Sequence, residues 1–276
     1  MATTITGVSV TSDGLVTNTL GTSNFVVGVN AGNSITSGGN YNVAVGDEAG
    51  TAITTGDNNV AVGYSALVAN TTANNNTAIG KEALAVNTTG SENAAVGTTA
   101  LKANTTGVSN SAFGREALFD NTTGGNNSAH GHQALANNTT ASYNTAVGSQ
   151  SLKANTTGTR NTAIGNTALD ANTTGNYNTS SGNNSLGANT TGSSNAATGD
   201  YALAANTTGS QNVAMGQASM ATNTTASNNT AVGFQTLNAN TTGSSNTASG
   251  YNALALNTTG VANTAVGKGS LDANTT

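Results

Sequence analysis

Asn161-Thr162-Ala163-Ile164-Gly165-Asn166-Thr167-Ala168-Leu169-Asp170-Ala171-Asn172-Thr173-Thr174-Gly175, followed by Asn176-Tyr177, is one turn of a pattern that begins again at Asn178. Its first glycine recurs every seventeen residues from Gly46 to Gly267, fourteen times in register. An earlier copy, Asn24-Phe25-Val26-Val27-Gly28, stands one residue out of step and brings the repeats to fifteen. A short fixed period is the mark of stacked units, each too small to bury an apolar face alone and dependent on its neighbours for a core.

Composition points the same way. Only 6% of residues are charged and 4% aromatic, and Trp, Pro and Cys are absent. Most of the apolar content is Ala, so a round core lacks the bulk to offset the entropy of ordering the chain. A low-complexity disordered tract is the alternative for such a composition, and the fixed register argues against it. The net charge of −5 is thinly spread, and the six basic residues, Lys81, Lys102, Arg115, Lys153, Arg160 and Lys268, form no stripe. Nucleic acid is therefore not an expected partner. No apolar run is long enough to cross a bilayer, so membrane insertion is not expected, and no secretory signal is visible at the N-terminus.

With Gly165 and its equivalents as position 0, each column of the repeat has its own chemistry. Position −1 is Val, Ile, Phe or Met in eleven copies, with His130, Ser181, Thr198 and Ser249 as exceptions. Position +4 is Leu in the thirteen copies from Leu67 to Leu271, except for Met220, and the residue before it is always Ala, Ser or Thr. That column is the expected core, with something packed too closely beside it for a larger neighbour. Asn stands at −4 in every copy and again at the head of every Asn-Thr-Thr from Asn70 to Asn274. Stacked coils favour such columns, because side-chain amides can bond along a ladder. Each Asn-Thr-Thr is also a formal glycosylation sequon. The glycine at position 0 never varies, which predicts a positive φ or a backbone contact that excludes Cβ. The glycine at +10 gives way to Ala73, Ala141 and Ala226, so it predicts no glycine-only conformation.

Glycine and Asn-Thr-Thr leave room for one helical turn at most, whereas Asn-Thr-Ala-Val alternates like a strand. The expected fold is all-β, a parallel β-solenoid or β-roll of about fifteen 17-residue coils. Residues 1–23 form a cap or attachment segment and residues 24–276 the repeat shaft. A pairing of Thr4–Val10 with Leu15–Thr17 across Ser12-Asp13-Gly14 is expected in the cap. Each coil offers only a Val, a Leu and a few Ala to its interior. So thin a roll gains by packing on copies of itself, and a three-faced coil suits a parallel homotrimer.

The Asn-Thr-Ala-Val-Gly core resembles the Asn-Ser-x-Ala-Ile-Gly repeat of trimeric autotransporter adhesin heads, which implies left-handed parallel β-rolls in a trimer. Those heads use a shorter repeat without Asn-Thr-Thr-Gly. The full unit looks more like repeats of phage tail-fibre and virion structural proteins. That resemblance implies a non-enzymatic fibre of a virion appendage, supporting host attachment, with other virion proteins and a host receptor or glycan as partners. An adhesin head on the bacterial surface is the alternative. It requires a signal peptide and a C-terminal membrane barrel, neither of which this sequence displays, and the sequence ends in mid-repeat at Asn274-Thr275-Thr276.

His130-Gly131-His132 holds the only histidines. In an extended segment both side chains point the same way, and three copies of the pair could surround one transition-metal ion. The pair resembles iron-binding motifs of phage long tail-fibre tips. The competing reading is a tolerated polar residue in one weak coil. No other cofactor is expected, and no spacing matches a nucleophile elbow, phosphate loop or calcium repeat. Lys81-Glu82 and Arg115-Glu116 suggest a solvated face, and catalytic residues are not expected. Repeated Thr-Thr raises an ice-binding function, although adjacent side chains diverge in a strand.

Overall fold

The computed structural model describes residues 8–11, 14–17 and 20–275. The chain divides into two units, residues 1–126 and 127–276. The first opens with an antiparallel pair, β1 (Val8–Thr11) and β2 (Gly14–Thr17), in the register Val10↔Leu15. Gly14, expected in the turn, is the first residue of β2. Thr4–Gly7 and Ser12-Asp13 lie outside the described residues.

Parallel strands follow, one per repeat and three residues each. The first unit holds β3 (Phe25–Val27), β4 (Val43–Val45), β5 (Val60–Val62), β6 (Thr77–Ile79), β7 (Ala94–Val96) and β8 (Ser111–Phe113). The second holds β9 (Ser128–His130), β10 (Thr145–Val147), β11 (Thr162–Ile164), β12 (Thr179–Ser181), β13 (Ala196–Thr198), β14 (Val213–Met215), β15 (Thr230–Val232), β16 (Thr247–Ser249) and β17 (Thr264–Val266). Equivalent residues pair directly, as in Thr162↔Thr179 and Ala163↔Ser180. The described residues contain no helix, and each unit is a parallel β-solenoid.

The strands stop after three residues because of the glycine that follows. Gly165 has φ +136°, and a Cβ built there would stand 2.4 Å from the carbonyl oxygen of Gly182. Both expected reasons for an unvarying glycine therefore apply. Gly175, in the tolerant column, has no positive φ, and Ala73, Ala141 and Ala226 are accommodated there almost fully buried.

The interior differs from the expectation in one respect. The strands alternate as expected, but the middle residue points inward and the Val column points out. Ala163 is wholly buried while Ile164 is 45% exposed. Leu169 fills the interior from the opposite wall, with Ala168 beside it, both fully buried. A coil this thin has space for one large side chain. The Leu takes it and leaves the facing strand position room only for Ala. Where Ser replaces Ala at position 180, its hydroxyl donates to the Ser185 carbonyl at 2.7 Å and pairs with the Ser185 hydroxyl, so no buried polar group is stranded.

The Ala-Leu segment is not a helical turn. Thr167 and Leu169 both lie in the left-handed region, at φ +50° and +55°, and Tyr177 at the last corner has φ +58°. Three non-glycine residues per coil adopt this conformation in repeat after repeat. Each costs of order 1–3 kcal/mol, and β-branched side chains are the worst suited to it. The core column, which holds Leu and Met but never Val or Ile, follows that preference, whereas the outer left-handed corner admits Thr at Thr99 and Thr167.

What holds these corners is hydrogen bonding from coil to coil. Asn161 Oδ1 accepts the backbone N–H of Asn178 at 2.9 Å, and its Nδ2 donates to the Gly175 carbonyl at 2.8 Å. Asn172 Nδ2 donates to Asn155 Oδ1 at 2.9 Å and to the Gly175 carbonyl at 3.1 Å. Both Asn columns are buried ladders, as expected, although Asn76 Nδ2 is buried without a partner. A third ladder was not anticipated. At position +11, Asn176 Oδ1 accepts the N–H of Thr159 at 2.7 Å, and Ser193 Oγ accepts that of Asn176 at 3.0 Å.

Candidate functional site

Each strand from β4 to β17 buries its middle residue and presents its first and third residues to the outside. In the second unit the third position carries His130, Val147, Ile164, Ser181, Thr198, Met215, Val232, Ser249 and Val266. Met215 is 48% exposed, and Val147 and Val232 are each 38%. In the first unit both outward positions of β4 and β5 are Val. Apolar side chains thus recur along one strand face of each unit, interrupted in the second by His130, Ser181, Thr198 and Ser249, and directed to solvent by the same alternation that buries Ala. Sequence periodicity identifies this column but assigns it to the interior.

His130 closes β9 on that face and is exposed, with Nε2 3.3 Å from Ser128 Oγ. His132 is also exposed. Gly131 between them has φ +142°, so the strand ends at His130 and its alternation does not set the direction of His132. Among the described residues no three His, Cys, Asp or Glu side chains gather as they would around a metal. A metal at these histidines would therefore draw further ligands from other copies of the chain.

The sparse charges pair locally. Glu82 accepts from Lys102 at 2.5 Å and lies 3.6 Å from Lys81, and Arg115 meets Glu116 at 2.6 Å. The hydrogen bond from Lys102 holds the Glu82 carboxyl below its usual pKa. Asp170 is displaced the other way, because partial burial penalises its charge. The sequons are closed to modification in the folded chain: Asn172 is wholly buried and its Nδ2 occupied. Of the Thr pair, Thr173 Oγ1 donates to the Thr190 carbonyl at 3.1 Å, and only Thr174 is exposed. The Thr-Thr column is thus divided between framework and surface.

Two aromatic clusters break the polar surface of the second unit. Arg160 lies between Tyr143 and Tyr177 of the adjacent coils, with its guanidinium carbon 5.6 and 5.5 Å from the ring centroids. Its Nη1 donates to the Tyr177 hydroxyl at 2.6 Å. At another corner Phe234 and Tyr251 stack at 5.4 Å, and Lys268 Nζ lies 5.7 Å from the Tyr251 ring. The spacing of seventeen between Tyr143, Arg160 and Tyr177 was the available signal for the first cluster.

No protein-family model matches the sequence, and comparison with characterised proteins gives no match. The class is defined by the structure alone: a parallel β-solenoid repeat protein, a fold compatible with a structural fibre or an adhesin-like repeat.

Proposed function

We propose that this chain is the shaft of a non-enzymatic, self-associating fibre, a parallel homotrimer belonging to a phage virion appendage that supports host attachment. The outward Val column carries the self-association. Half-exposed aliphatic side chains repeat along one strand face, and withdrawing each fully from water contributes roughly 1 kcal/mol. A face of this kind on an aromatic-poor chain of low charge fits a second copy of the same repeat. The placement in a virion rests on the resemblance of the full seventeen-residue unit to tail-fibre repeats. The other virion proteins and the host receptor or glycan follow from the same resemblance, as does the absence of catalytic chemistry. A bacterial adhesin head uses the same shaft physics and differs in what flanks it in the full-length gene.

Light scattering tests the assembly. The chain should have the mass of three copies. Lysine at Val147, Ile164 and Val232 together should reduce it to one, while Thr174→Lys on the exposed turn leaves it unchanged. A monomeric wild-type chain overturns the proposal. Finding the chain in purified phage particles supports the virion placement. A full-length gene encoding a signal peptide and a C-terminal barrel moves the chain to the bacterial surface.

A further inference from the structure

We propose that Tyr143, Arg160 and Tyr177 form a binding site for an acidic glycan, the guanidinium edge holding a sugar carboxylate and the Tyr177 ring supporting the sugar. All three side chains occupy the same corner of consecutive coils. That corner is one of the left-handed positions, φ +64°, +56° and +58°, and all three residues are exposed there. Tyr143 is 57% exposed and Tyr177 55%.

Arg160 lies over the rings of Tyr143 and Tyr177 and donates one hydrogen bond to Tyr177. With Nη1 donating to Tyr177, the remaining guanidinium N–H donors can meet a planar anion in bidentate fashion. Among the described residues the ion pairs are those of Lys81, Lys102 and Arg115, so no carboxylate neutralises Arg160. A cation with no carboxylate beside it, on a chain of net charge −5, can take an external anion. The next residue in the column, Ser194, is small, and Tyr177 remains 55% exposed. A uronic or sialic acid unit brings a carboxylate and a ring with apolar C–H faces in one residue. It suits an arginine edge beside a tyrosine face better than inorganic phosphate, which has no ring, or a neutral sugar, which has no charge. The site lies within one chain and does not depend on the shaft being trimeric.

Calorimetric titration with oligogalacturonate, its methyl ester and a sialylated oligosaccharide tests this. At least one acidic ligand should bind saturably, the ester should not, and binding should weaken with added salt. Arg160→Asn should weaken it about tenfold or more, and Tyr177→Asn by several-fold. Asn is the residue other coils carry at this corner, at Asn58, Asn75 and Asn228, so both variants should melt like the parent. Arg115→Gln, which removes an arginine already paired with Glu116, should bind as the parent does. The proposal is overturned if neither acid binds, if the ester binds equally, or if Arg160→Asn binds normally. It is also overturned if Arg160→Asn lowers the oligomer mass, because the arginine then serves a neighbouring copy.

Discussion

Ile53 stands where a leucine at position 50 would go: a Cβ built on Gly50 would lie 2.8 Å from Ile53 Cδ1. Elsewhere position +4 is Leu or Met and position +7 is Asn, but this coil has Gly at +4 and Ile at +7, and the coil before it has Gly32 and Ile35. Gly50 keeps the left-handed φ, at +58°, and Ile53 is wholly buried. One interior space is filled from either of two positions. Gly50→Leu should therefore overpack the coil, at a cost of about 1–3 kcal/mol. Ile53→Asn should cost about 2–5 kcal/mol through the emptied core. The double variant restores the common pattern and should lie within about 1 kcal/mol of the parent, a coupling that denaturant titration of the four chains measures. Additive losses would mean that the two positions do not share a space.

The two glycine columns separate in the same measurement. Gly165→Ala meets a positive φ and a carbonyl oxygen at 2.4 Å, and should cost at least about 3 kcal/mol or prevent folding. Gly175→Ala meets no positive φ and places the residue that Ala73 and Ala141 carry, but its Cβ would stand 2.3 Å from the Gly192 carbonyl oxygen, so the neighbouring coil must shift and the cost should be about 1–2 kcal/mol, below that of Gly165→Ala.

Leu169→Ile changes neither volume nor hydrophobicity appreciably, and an ordinary core would lose less than about 1.5 kcal/mol. Here the left-handed backbone penalises branching at Cβ, and a loss of about 2–4 kcal/mol is expected. A loss comparable to that of an ordinary core swap would show that the corner relaxes.

Asn172→Asp substitutes an acceptor for the amide that donates to Asn155 and Gly175. At neutral pH it should destabilise by about 2–4 kcal/mol, as a buried charge facing acceptors. Burial raises the folded-state pKa of such a carboxyl above its unfolded value. Its folded form binds the proton more tightly, so stability is greatest below the unfolded pKa and falls as pH rises through the folded one. Melting curves across the acid range should show the variant recovering toward the parent as pH drops.

The native carboxylates give opposite slopes by the same reasoning. Glu82, depressed by Lys102, supports the fold above its unfolded pKa and loses that support as pH falls through the lower folded value. Asp170, raised by desolvation, supports the fold more as pH falls. Asp170→Ala, which places the residue found at Ala85 and Ala204 of other coils, should remove that acid-side gain. Glu82→Gln should remove an acid-side loss.

Much of this architecture was legible because a fixed period makes every column a repeated experiment. Gly165 and its equivalents announced a corner, Leu169 and its equivalents a core, and Asn161 and Asn172 their ladders. The inner side of the strand was not legible. Ile164 is larger and more apolar than Ala163, and hydrophobicity alone places it inside. The space already taken by Leu169 decides otherwise, and that is a relation across the coil. The left-handed residues were hidden too, because Leu and Thr are ordinary in many conformations. Only the exclusion of β-branched residues from position +4 betrays them. The Tyr143–Arg160–Tyr177 cluster was spread over three repeats and visible only once they were aligned.

The three left-handed corners of each coil have a consequence for how the chain is made. An isolated coil would bear that strain without the neighbouring amides that offset it, so no coil is a folding unit by itself. Assembling the first few coils into a finished edge therefore costs more than adding a coil to an edge that already exists. Every later coil is laid on that edge at little further cost, as a crystal grows from its seed.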